Sequence, residues 1–149
     1  MKKILPLVLA LVMLAGRSPA QDDTEVEQTT PQYQPVSGLV VSNVVATPAG
    51  MTFTLENRSH ANLYYGFLFN VVRYEGGRWG DVPIVASVLW PDLLLLLEIG
   101  ETKEYAEDWT HFFGELPPGR YMFIREMRWD EMHRPDPAQT QHLMIEFEL

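Results

Sequence analysis

From Ser37 onward, apolar and polar positions alternate in short runs, and no long stretch keeps a helical period. Leu39 to Thr47 (LVVSNVVAT) is rich in β-branched residues and predicts a strand. Pro48-Ala49-Gly50 turns the chain. Met51 to Glu56 then alternates strictly, with Met51, Phe53 and Leu55 on one face and Thr52, Thr54 and Glu56 on the other, the pattern of a half-buried strand. After the polar loop Asn57 to His60, Leu63 to Tyr74 predicts one long strand, and Gly76-Gly77 a hairpin turn into residues 78–83. Residues 84–99 contain five consecutive leucines, Leu93 to Leu97, with Pro91 before them and Gly100 closing the block. They predict an irregular apolar strand region over the core, and the segment most prone to aggregate. Thr102 to Glu107 predicts a strand. Asp108 to Gly114 predicts one helical turn, started by an acidic cap and stopped by glycine. Arg120 to Trp129 predicts a strand, residues 130–139 a long polar loop, and Gln141 to Leu149 a closing strand with Leu143, Ile145, Phe147 and Leu149 inward.

Seven to eight short strands in 113 residues argue for an all-β fold, an antiparallel sandwich with one short helical turn. A lipocalin-like barrel is the alternative, and it usually needs a longer chain. Three stretches narrow the choice: TPAGMTFTLEN (47–57), YYGFLFNVVRYEGGRWGDVP (64–83) and GETKEYAEDWTHFFGELPPGRY (100–121). Together they resemble a bacterial immunoglobulin-like domain family found in secreted and lipid-anchored proteins, and the likeness covers nearly all of residues 38–128. The resemblance implies an immunoglobulin-like sandwich. It implies a tyrosine corner at Tyr121, whose hydroxyl would tie back to nearby backbone. It also implies that Trp79 and Trp109 fill a core without the usual disulfide. Phe113 stands where the family usually has tyrosine, so one hydroxyl contact is missing.

The first 36 residues follow a different pattern. Lys2 and Lys3 precede a twelve-residue apolar run, Ile4 to Ala15, too short to span a bilayer comfortably. Ser18-Pro19-Ala20 places small residues before Gln21, so residues 1–20 read as a signal peptide; an uncleaved anchor helix is the competing reading. Leu14-Ala15-Gly16 resembles the start of a lipobox, but Arg17 stands where a lipidated cysteine would be required. Residues 21–36 read as an acidic, Pro-containing linker. That leaves residues 37–149 as the domain.

Charge and composition exclude several kinds of chemistry. The chain carries a net charge of −9 and no cysteine. Cleavage after Ala20 would remove Lys2, Lys3 and Arg17 and no acid, leaving eight basic against twenty acidic residues, a net of −12. Such a field repels phosphate and argues against nucleic acid as a partner. The lack of cysteine excludes a disulfide scaffold, a thiolate metal site and a cysteine nucleophile. His60, His111, His133 and His142 have no metal-ligand spacing; His142, Glu146 and Glu148 share one outward face, which a solvated surface explains better. Asp130, Glu131 and Asp136 lack the spacing of a calcium loop. Ser37, Ser42, Ser59 and Ser87 lie in no nucleophile elbow, and Ser59-His60 are mere sequence neighbours. Asn57-Arg58-Ser59 fits a glycosylation acceptor, a match that carries almost no weight in a bacterial protein. No cofactor or metal is expected.

The strongest functional candidate is the loop from Trp129 to Pro137, with Trp129, Asp130, Glu131, Met132, His133, Arg134 and Asp136 as its contact residues. Loops held at the end of a sandwich are common binding sites, and aromatic, Met and Arg side chains are enriched at interfaces. The expectation is an exported, non-enzymatic module at the cell envelope, acting as a binding or spacer unit toward a protein or cell-wall component. Contact with membrane would come only through an uncleaved signal segment. The alternative is a secreted peptidase inhibitor presenting the 129–137 loop; a small hydrolase ranks third.

Overall fold

The computed structural model describes residues 33–87, 89–129 and 141–149. Ten strands and one helical turn follow in order: β1 (Gln34–Pro35), β2 (Leu39–Thr47), β3 (Gly50–Asn57), β4 (Leu63–Tyr65), β5 (Asn70–Glu75), β6 (Arg78–Asp81), β7 (Leu95–Leu97), β8 (Thr102–Asp108), α1 (Thr110–Phe113), β9 (Arg120–Trp129) and β10 (Gln141–Glu148). The smaller sheet runs β2-β3-β8, all antiparallel. The larger sheet is centred on β9, with β10 and then β1 on one side. On the other side β4 and β5 lie in line along β9, β4 carrying β7 and β5 carrying β6. Among the described residues no helix is long and apolar enough to cross a membrane.

The predicted all-β sandwich is present, with ten strands instead of seven to eight. Two differences account for the count. Gln34–Pro35 pairs in parallel with Gln141 and His142, and Val36 is buried behind it, so the end of the stretch read as a linker is part of the sheet. The single strand predicted over Leu63 to Tyr74 is broken. Tyr65 pairs with Met127 and Asn70 with Ile124. The four residues Gly66 to Phe69 therefore face only Arg125 and Glu126, and the excess buckles outward as a wide bulge.

The core lies between the sheets and is aromatic. Phe53 and Phe123 meet with ring centroids 5.7 Å apart, one from each sheet. Trp109 and Tyr121 both stack on Phe147. The Tyr121 hydroxyl donates to the Pro117 carbonyl at 2.6 Å, the expected tyrosine corner. Trp109 is fully buried, and its indole donates to the Pro48 carbonyl at 2.8 Å. Trp79 departs from expectation: it is half-buried on the outside of the hairpin, against Tyr74 and the Arg120 guanidinium. It sits on β6, at the rim of the sheet, where nothing covers it from the second sheet.

Asn57, expected in a polar loop, is instead the last residue of β3. It is wholly buried, its amide donating to the carbonyls of Ala61 and Leu97 and its Oδ1 accepting the Ser59 amide. An amide so engaged cannot serve as a glycosylation acceptor; it holds β7 against the 57–61 turn. The N-cap of the helical turn is Trp109 and not the expected Asp108, which ends β8 and from there accepts the amide and the hydroxyl of Thr110; Gly114 ends the turn with φ of 69°.

Candidate binding surface

Trp129 is the one residue of the predicted loop within the described residues. Asp130, Glu131, Met132, His133, Arg134 and Asp136 lie outside them. Trp129 is half-buried, and its indole nitrogen donates to Gln141 Oε1, the first residue of β10. The His60 ring packs edge-on against it, centroids 4.4 Å apart. The base of the 130–140 segment is thus closed by a hydrogen bond between its two flanking strands.

The larger surface feature lies beside that base. The bulge Gly66–Phe69 forms one wall of an open groove of about 1220 Å³, and the connection from β6 to β7 forms the other. The groove exists because the strand along β9 changes partner. β5 is covered by β6, β4 by β7, and residues 82–94 must cross the gap between them. Its floor is aromatic: Trp90 stacks on Phe112 at 4.2 Å, and Phe69 meets both edge-on. The Val85 amide donates to the Phe112 carbonyl at 2.6 Å, which fixes the crossing segment to α1. The walls are apolar and open to solvent, with Leu68 60%, Ile84 68%, Val85 65%, Leu93 53% and Leu94 53% exposed. Only the end of the leucine run behaves as predicted: Leu97 is fully buried, while Leu93 and Leu94 face outward.

Polar groups line the groove as well. Asp81 accepts a hydrogen bond from the Asn70 amide at 3.1 Å. Glu126 accepts from Arg128 at 2.7 Å, so those two charges cancel locally. At the far end Tyr33 packs edge-on against His142, centroids 4.9 Å apart. Burial holds the His142 imidazole below its ordinary pKa, against the opposing pull of Glu126, so near pH 7 the ring is neutral.

Ser59 is buried, its Oγ within 2.6 Å of Asn57 Oδ1, where it shapes a turn. His60 packs on Trp129. His142 and Glu146 share the outer face of β10, but Glu146 is paired with Arg120. Among the described residues no three of His, Asp or Glu gather as a metal set. Sequence reasoning missed the groove. The available signal was that Ile84, Val85, Leu89, Leu93 and Leu94 follow neither strand nor helix periodicity and are interrupted by Pro83 and Pro91.

Among curated proteins none matches the chain. A family model described as a bacterial Ig-like domain matches residues 39–147. That match begins at the first residue of β2 and ends one residue before the end of β10. It therefore takes in both sheets and the tyrosine corner between them, and the chain belongs to the bacterial Ig-like domain family.

Proposed function

We propose that the chain is an exported, non-enzymatic binding module of the bacterial cell envelope. The observation that carries this reading is the apolar groove. Exposing large aliphatic side chains around a concave surface costs solubility, and such patches mark interaction sites. A spacer has no use for one. Export is supported by Lys2-Lys3, the apolar run Ile4 to Ala15 and the small residues before Gln21.

The loop from Trp129 to Pro137 is a second proposed contact. Arg128 and His142, on the strands that flank it, also line the groove. The closed Trp129–Gln141 base would also suit a rigid inhibitory loop, which keeps the peptidase-inhibitor reading as an alternative.

Three baits spanning residues 21–149 test the proposal on an envelope and secreted-protein extract. One is unchanged, one has residues 130–138 replaced by a short Gly-containing turn, and one carries Leu93→Ser and Leu94→Ser. A protein or glycan held by the first and lost from either variant supports a binding module. If all three hold the same set, or nothing, the chain is a spacer. Stoichiometric inhibition of a peptidase, lost with the loop, would select the inhibitor reading.

A further inference from the structure

Resting on the binding reading above, we infer that the groove receives an extended polypeptide segment, apolar on one face and cationic on the other, from a partner protein. Three features of the groove point to this occupant.

The first is its form. At about 1220 Å³ and open to solvent, it exceeds the usual range for a small-molecule site. Its walls offer Phe67, Leu68, Ile84, Val85, Leu93 and Leu94 to a ligand longer than a metabolite.

The second is its charge. Glu126 and Arg128 neutralise each other, but Asp81 and Asp92 enter no ion pair among the described residues. Two uncompensated carboxylates therefore sit on an apolar groove, in a chain already at −9. A lysine or arginine on the occupant complements them, whereas an anionic lipid surface would be repelled by the same field.

The third is the backbone. β7 lies just beyond the groove and, among the described residues, pairs with β4 alone. The chain just before it, Pro91 to Leu94, belongs to no strand. An extended segment in the groove can pair with this stretch by strand addition. Side chains of a strand alternate, so such a segment sets one row on the leucine walls and the other toward the carboxylates.

The test is fluorescence anisotropy with the full chain at about 0.15 M salt. The probe is a labelled peptide of alternating leucine and lysine. A leucine–glutamate peptide and a serine–lysine peptide of equal length are controls. Saturable binding of the leucine–lysine peptide is expected, with each control about tenfold weaker or worse. Replacing Asp81 and Asp92 by Asn should weaken binding about tenfold. Replacing the exposed Glu115 and Glu148, which lie off the groove, by Gln removes the same charge and should leave binding unchanged. Unaltered circular dichroism and melting of both double variants will show that they remain folded. Equal losses from the two pairs would reduce the effect to overall acidity and overturn the inference. So would equal binding of the leucine–glutamate peptide, or capture of the chain by phosphatidylglycerol vesicles. A failure here, beside an extract partner that still requires Leu93 and Leu94, would retire the cationic segment and leave the binding module standing.

Discussion

Arg125 on β9 donates from Nη1 to Glu107 Oε1 on β8 across 2.7 Å, joining the two sheets through the core. The guanidinium is almost fully buried and lies 5.2 to 5.7 Å from the ring centres of Tyr65, Phe69 and Phe123. Its Nη2 also reaches the Phe67 carbonyl at 3.4 Å, so it holds the bulge that walls the groove. Removing one partner of a buried pair leaves the other charge uncompensated. Glu107→Ala should therefore cost about 3 kcal/mol in urea unfolding. Replacing Arg125 by Met and Glu107 by Leu together should restore most of that loss, because an apolar pair needs no compensation.

Two tyrosines predict an alkaline limit. Burial pushes the Tyr105 phenol up, reinforced by its hydrogen bond to the Tyr65 hydroxyl at 2.9 Å. Burial raises Tyr121 too, against the opposing charge of Arg73. Both protons are held more tightly in the folded chain, so this stabilisation is complete below the ordinary tyrosine pKa of about 10 and is lost as pH climbs above it. Denaturant midpoints should be flat from pH 8 to 9 and fall beyond about pH 10. The fall should be shallower when both residues are changed to Phe.

Phe123 lies two residues after the corner tyrosine, where an immunoglobulin domain carries its second cysteine. It meets Phe53 where a disulfide would otherwise cross between the sheets. Phe123→Ala should lose about 3–5 kcal/mol. Trp79→Ala, on the half-exposed hairpin, should lose about 1 kcal/mol or less. Equilibrium unfolding of both variants checks the order.

Gly50 approaches β8 so closely that an added Cβ would lie 2.2 Å from the Glu107 carbonyl oxygen. Backbone cannot yield as a flexible side chain can, so Gly50→Ala should destabilise by about 2 kcal/mol or more. Gly80 has open space at the same position, and Gly80→Ala should be neutral or stabilise by about 0.5 kcal/mol. Paired melting curves will separate the two.

Local signals carried most of the fold. β2 and β9 begin and end at the residues predicted for them, between turn residues. The corner at Tyr121 was legible through the family resemblance, with Tyr121 opening a strand just after Pro117-Pro118-Gly119. What escaped depended on partners distant in sequence. The break after Tyr65 exists because four residues oppose two on β9, and no pattern within Leu63 to Tyr74 encodes that mismatch. β1 is a strand only because β10 lies beside it. The groove arises where β6 gives way to β7, and the exposure of Leu93 beside the burial of Leu97 is a property of that crossing. For the predicted loop, the described residues give Trp129 and its closed base.

The parallel run of β1 beside β10 has a mechanical meaning. The chain enters β1 at the end of the sheet where β10 begins, and leaves at the opposite end. A force that draws the N-terminal and C-terminal sides of the domain apart would pull these two strands past each other along their length. Their hydrogen bonds, together with that from the Val36 amide to the His142 carbonyl, are then loaded at once instead of being unzipped singly. A strand of two residues makes this a weak clasp. It would slip first and release the residues before β2 while the aromatic core stays closed.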